Sequence, residues 1–227
     1  MVKDEVLARL KEAVLGESSV EDMEDAARAV VEAGIDINDA IHIATEAIRA
    51  VGDQFEAGDI YLPELMIAGR KMEHCMGILR PHLAVGEGKR TGGRIVIGTV
   101  LGDIHDIGKN LVATMMAVRG FDITDVGVNV SPLKFVSAAR DCGADIIALS
   151  SLMTTSLPYQ QEVVQVLKET GLRDKFYIIV GGGPVTPEFA KEIGADGWAE
   201  NAAAGARLCE ILMASNEKPP VANIVIA

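Results

Sequence analysis

The chain has 227 residues, 49% of them apolar and 24% charged, which suits a folded protein of two domains. Its net charge of −12 comes without any Lys/Arg cluster, which excludes the basic face of a nucleic-acid binder and disfavours anionic membranes. Three widely spaced cysteines, Cys75, Cys142 and Cys209, build no disulfide framework. The opening residues Met1–Glu5 are charged, with no apolar signal core, and no apolar run nears the roughly 20 residues that span a bilayer. A cytoplasmic protein is therefore expected, with neither nucleic acid nor membrane as partner.

Taken in order, the first part of the chain has helical periodicity. Val6, Leu7, Leu10, Ala13 and Val14 predict a helix over residues 3–15, stopped at Gly16. Ser18 or Ser19 caps a second, with Glu21 or Asp22 in the capping-box position, running to about Ala33 before Gly34. Asp36 or Asn38 opens a third, through Ile41, Ala44, Ile48 and Val51 to Ala57, with Gly58 after it. Pro63 suits the first turn of a fourth, which carries Leu65, Met66, Met72, Met76 and Leu79 to about Leu83. Four helices on short turns predict a bundle domain over 1–88. His42, among apolar neighbours, is read as a packing residue, and His74, Cys75 and His82 fit no common zinc spacing.

Gly86–Gly93 holds four glycines and three charges and is read as a linker. Beyond it, over 94–227, the period changes. Strand-like runs at 95–99, 123–128, 146–150, 177–180 and 197–199 alternate with helices near 108–119, 132–141, 158–170, 187–193 and 202–214. Five βα units predict an α/β domain with a five-stranded parallel sheet, covered on both faces and flavodoxin-like (Rossmann-like) in order. Ile224–Ile226 can add an edge strand or dock elsewhere.

In such sheets ligands bind at the carboxyl ends of the strands. There the first strand leads into Gly102-Asp103-Ile104-His105-Asp106-Ile107-Gly108, and the third ends in Ser150-Ser151-Leu152-Met153-Thr154-Thr155-Ser156. The fourth ends in Gly181-Gly182-Gly183 and the fifth in Glu200-Asn201-Ala202. A lone loop histidine is more often structural, a glycine run is usually a turn, and loop serines commonly cap helices. Placed on one rim they suggest a deep cleft for a bulky, mostly neutral guest, with the glycines clearing room for its approach. Asp106 reads first as a solvated helix cap, and Lys109 and Asn110 as helix-start residues that can also reach the guest.

Asp103-x-His105-x-x-Gly108, Ser150 and Ser156 at their spacing, and Gly181-Gly182 together resemble the cobalamin-binding module of methyl-transferring corrinoid proteins. Gly52–Glu64, with Phe55 and Leu62, resembles the helical cap over the methyl face in cobalamin-dependent methionine synthase. The resemblance spans about residues 3–214, and is nearest to the small corrinoid proteins of methylamine, betaine, methanol and aryl-ether methyltransferase systems. It implies a cobalamin or related corrinoid cofactor, with His105 as the lower axial ligand to cobalt. Asp103 would accept a hydrogen bond from the other imidazole nitrogen, with Ser156 next in the relay. Phe55, Leu62 and Met66 would lie over the reactive face. Gly102, Asp106, Ile107, Gly108, Leu152, Glu200, Asn201 and Ala202 complete the implied contact set, with Ser150, Thr154, Gly181 and Gly182 around the nucleotide tail. Ser151 departs from the methionine synthase pattern, which has glycine there.

The function so implied is that of a methyl carrier, cycling between Co(I) and methyl-Co(III), rather than a catalyst acting alone. Its partners would be a donor-specific methyltransferase, a second methyltransferase using coenzyme M or tetrahydrofolate, and a reductive activating protein. Rivals fare less well. A phosphorelay receiver needs an aspartate where Ser150 ends its strand, and a dinucleotide oxidoreductase needs a glycine spacing that Gly98, Gly102 and Gly108 lack. A cobalamin-sensing regulator needs a DNA-reading module for which residues 1–16 are too short, and a radical mutase subunit works against a barrel. A sensing or storage protein is the alternative.

Overall fold

A computed structural model describes residues 3–82, 92–215 and 217–226. The described residues divide into two compact units. One takes in the first four helices together with Ala117–Gly120; the other takes in the rest. The stretch read as a linker lies outside the described residues, apart from Gly92 and Gly93.

The first unit is a bundle of α1 (Lys3–Leu15), α2 (Val20–Glu32), α3 (Ile37–Ala57) and α4 (Leu62–Leu79). Their apolar stripes meet in a core that includes Val6, Leu10, Met23, Ile48, Leu65 and Leu79. The helix starts are set by side chains. Ser19 Oγ accepts from the Asp22 N–H at 3.1 Å, and Asp22 accepts in return from the Ser19 N–H at 2.9 Å, a reciprocal capping box. Asp36 caps α3, and Gly58 ends it in the left-handed conformation, φ 81°. The fourth helix stops earlier than its periodicity predicts. Pro81 has no N–H to continue the ladder, and Arg80–His82 tightens into a 3-10 turn. His42 is exposed rather than packed, while His74 Nδ1 pairs with Glu24 Oε1 at 2.7 Å.

The second unit is a parallel six-stranded sheet in the order β2-β1-β3-β4-β5-β6. Its strands are β1 (Arg94–Thr99), β2 (Asp122–Asp125), β3 (Ile146–Ser150), β4 (Tyr177–Gly181), β5 (Gly197–Ala199) and β6 (Ile224–Ile226). The connecting helices are α5 (Ile107–Val118), α6 (Pro132–Cys142), α7 (Leu157–Glu169), α8 (Pro187–Ile193) and α9 (Ala202–Ala214). Ile95–Thr99 and Ile146–Leu149 are buried, as strands covered on both faces must be. The first five strands keep the expected order. The tail settles its open alternative by pairing parallel to β5 as a sixth strand. β2 is shorter than its apolar run, because Asp125 Oδ1 accepts from the Gly127 N–H and Gly127 turns the chain at φ 89°.

Asp196, fully buried beside β5, holds this edge together. It accepts from the N–H groups of Ile178 and Val221, both at 2.7 Å, and pairs with Arg173 at 2.9 Å. Asp196→Ala strands the Arg173 guanidinium in the interior. It is expected to destabilise this unit by roughly 3–5 kcal/mol, read as a lower urea midpoint. An unchanged midpoint would show that the tail is not anchored this way.

Candidate functional site

The strand order reverses direction between β1 and β3. The loops that follow these two strands are therefore neighbours at the carboxyl edge of the sheet. One carboxylate joins them. Asp103, on the β1–α5 loop, is fully buried. Its Oδ1 accepts from His105 twice, from the backbone N–H at 3.0 Å and from ring Nδ1 at 2.7 Å. Its Oδ2 accepts from the N–H groups of Leu152 and Met153, at 2.7 and 3.1 Å, and from Ser156 Oγ at 3.1 Å. Burial pulls the Asp103 carboxyl upward. The N–H groups of His105 and Leu152, the His105 ring and the Met153 N–H outweigh it and hold the group well below the usual carboxylate range.

An ionised carboxylate only accepts, so His105 Nδ1 carries the hydrogen and Nε2 of the neutral ring keeps its lone pair. The backbone on both sides of the ring is fixed as well, since Thr99 Oγ1 donates to the His105 carbonyl at 2.8 Å. The His105 side chain is 50% exposed. A buried anion thus orients a half-exposed imidazole and leaves one nitrogen free as a ligand.

The surroundings suit a large, mostly apolar group. Ile104 and Ile107 are 73% and 84% exposed, and Leu152 and Met153 are exposed too. The rim offers these side chains to solvent. A Cβ at Gly108 would meet nothing within 4 Å, so the start of α5 leaves open room. At Gly182 the need for glycine has another cause. With φ at 121°, a Cβ there would lie 1.8 Å from the Ser151 carbonyl oxygen, so the close neighbour is the chain's own β3 loop.

The structure brings Asp103, His105 and Ser156 together, with Gly102 and Leu152 on the same two loops and Ile107 and Gly108 in the first turn of α5. Asp106 is exposed, and its carbonyl accepts from the Asn110 N–H at 2.7 Å to begin α5. Lys109 turns inward instead, buried against Asp125 and Asn110. Ser150 ends β3 and Thr154 is exposed on the following turn. Gly181 pairs with Ser150 across the sheet. Glu200 is exposed, Asn201 Oδ1 caps α9 by accepting from the Ala204 N–H at 2.9 Å, and Ala202 opens that helix. In the first unit Leu62 and Met66 are exposed and Phe55 is half-buried.

Sequence reasoning gave four residues no supporting role. Besides Thr99, Asn129 sits at φ 54°, accepts from the Gly102 N–H at 2.8 Å and donates its own N–H to the Asp103 carbonyl at 2.8 Å. Gln160 Nε2 bridges the carbonyls of Leu149 and Gly181 at 3.0 and 3.2 Å. Ser151, also fully buried, lies 2.7 Å from Ser156, Oγ to Oγ. An asparagine two residues after a glycine, in a segment with turn character, was the one available signal.

An α/β fold with a carboxylate-oriented imidazole at the switch point of its sheet presents a strand-end histidine where such folds bind their ligands. Residues 93–207 match the family model described as B12 binding domain, and residues 6–80 match a second model of the same description. The chain belongs to the B12-binding corrinoid proteins, and its cofactor is cobalamin or a related corrinoid. It is 38% identical over 202 residues to a corrinoid protein of Desulfitobacterium hafniense, covering 87% of this chain and 92% of that one. It is 43% identical over 167 residues to dimethylamine corrinoid protein 3 of Methanosarcina mazei, covering 74% of this chain and 100% of that one. Among solved structures, the methanol:cobalamin methyltransferase complex of Methanosarcina barkeri matches with a TM-score of 0.81 and 26% identity, over 94% of this chain and 81% of the other.

Because its acidity is raised in the fold, Asp103 contributes stability above the ordinary carboxylate value of about 3.9 and surrenders it as the pH falls below that. Asp103→Asn is expected to be less stable than the parent near pH 7, with the gap closing as the pH drops from about 4 toward 2. Urea unfolding across that range measures it. A gap of constant size down to about pH 2 would contradict the arrangement.

Proposed function

We propose that the chain carries a methyl group on a corrinoid cobalt ligated from below by His105. The observation that carries this reading is the His105 ring itself, held through Nδ1 by the buried Asp103 carboxylate with Nε2 directed away from that bond. When bound, the corrinoid supplies a cobalt centre that takes up and releases a methyl group.

Every other role falls to the chain. Asp103 fixes the tautomer and raises the basicity of the ring, and Ser156 donates to the same carboxylate. Ile104, Ile107, Gly108 and Leu152 furnish an apolar seat with room for a macrocycle. Ser150, Thr154, the Gly181-Gly182 turn, Glu200, Asn201 and Ala202 line the path of the nucleotide tail, and Gly102 and Asp106 border the ring. From the first unit, Phe55, Leu62 and Met66 are assigned to shielding the reactive face from water.

Two kinds of partner follow. One methyltransferase loads the methyl group from a donor, and a second takes it to coenzyme M or tetrahydrofolate. The names of the relatives support this direction, since they include a dimethylamine corrinoid protein and a methanol:cobalamin methyltransferase complex. A reductive activating protein is the third proposed partner, to return the metal to its nucleophilic state after accidental oxidation.

Reconstitution with cobalamin tests the reading. The protein is expected to retain the corrinoid through gel filtration, and His105→Ala to shift the visible spectrum at neutral pH to that of a corrinoid lacking the imidazole ligand. Failure to bind would end the corrinoid reading for this chain. A spectrum that His105→Ala leaves unchanged would remove His105 from the metal.

A further inference from the structure

We propose that Ser151 is a positioning residue of the His105 site, the outer member of a line that runs His105–Asp103–Ser156–Ser151. This inference rests on the function proposed above and concerns a residue to which the family pattern gives no role.

The geometry is one of proton accounting. Ser156 Oγ lies 2.7 Å from Ser151 Oγ, 2.8 Å from the Met153 carbonyl and 3.1 Å from Asp103 Oδ2. Ser151 Oγ has one other partner, the Met153 carbonyl at 3.1 Å. Both serines are fully buried. Two hydroxyl protons must therefore serve four oxygen–oxygen lines, and a carboxylate and a carbonyl can only accept. The shortest line cannot go without a proton, because two lone pairs would then face each other at 2.7 Å.

Only two directions remain for that line. If Ser156 donates to Ser151, the Ser151 proton goes to the Met153 carbonyl and Asp103 loses its hydroxyl donor. If Ser151 donates to Ser156, the Ser156 proton is freed for two acceptors, the Met153 carbonyl at 2.8 Å and, carrying the charge, the Asp103 carboxylate at 3.1 Å. A hydrogen bond to an ionised acceptor is roughly twice as strong as one to a neutral acceptor, so the second direction prevails. Polarised by Ser151, the Ser156 hydroxyl then donates more strongly, as successive bonds in a chain reinforce one another.

Ser151 is itself held in place. Its N–H donates to the Gly181 carbonyl at 3.1 Å, and the missing side chain at Gly182 lets the two backbones approach. The Gly181-Gly182 pair at the end of β4 thereby acts on the histidine through Ser151. The grip of Asp103 on the Nδ1–H of His105 therefore depends on the end of the neighbouring strand as well as on its own loop.

The test reads the ring directly, at a fixed pH of about 8.5 where imidazole is neutral. In protein labelled with 15N-histidine and free of corrinoid, the two ring nitrogen shifts of His105 report its share of Nδ1–H tautomer; His105→Ala assigns them among the four histidines. Ser151→Ala is expected to raise the ratio of Nδ1–H to Nε2–H tautomer by about twofold to threefold, the lower end of what one hydrogen bond carries, because a carboxylate that receives less from Ser156 accepts the Nδ1–H more strongly. Ser151→Thr, which keeps a hydroxyl, restores it. Should Ser151→Ala fail to fold, Ser151→Gly deletes the same hydroxyl. If deletion leaves the ratio unchanged while Ser156→Ala raises it, the line ends at Ser156 and the proposal is overturned. Corrinoid binding measured on the same samples separates the two claims: a parent protein that binds no corrinoid refutes the functional reading, whatever the tautomer shifts.

Discussion

A carboxylate with no access to water must find its donors within the chain, and Asp103 finds all of those named above on just two loops. From that requirement much of the site follows. The His105 ring is oriented because its Nδ1–H is one of those donors. The segment Leu152–Ser156 takes its shape because two of its N–H groups and a hydroxyl are the others. Sheet topology makes this arrangement available. Because β1 pairs with β3, the loops that follow them lie side by side, and Val100 and Ser150 are bonded across that seam at 3.0 Å.

Much of the fold was legible in the sequence, because it depends on periodic burial. Runs such as Ile95–Thr99 and Ile146–Ser150 are too short and too apolar to be other than covered strands, and left-handed glycines such as Gly58 mark helix ends. The misjudged boundaries share a cause. At Asp125–Gly127 and at Pro81 a local backbone demand overrode the apolar pattern. The sixth strand stayed open because three apolar residues after a Pro-Pro pair do not say which edge they join.

Asp103, His105 and Ser156 could be found from sequence because each belongs to a spaced pattern with chemical meaning. The supporting residues could not. Thr99 and Ser151 are ordinary strand and loop residues until their oxygens are seen aimed at the His105 carbonyl and at Ser156. The value of Gln160 lies in tying the carbonyls of two strands that only the fold makes adjacent. Gly182 shows the converse. Whatever it offers a ligand, this glycine also clears space for the loop that carries Ser151 and Ser156.

The central claim is that His105, through Nε2, is the axial ligand of a corrinoid cobalt. Electron paramagnetic resonance of protein loaded with cob(II)alamin, prepared with natural-abundance and with 15N-labelled histidine, tests it most directly. The unpaired electron couples to the axial nitrogen, so each cobalt line should be split into three with 14N and into two with 15N-histidine, and His105→Ala should abolish the dependence on labelling. A splitting that stays threefold in the labelled protein would mean that another nitrogen, such as the corrinoid's own base, holds the metal.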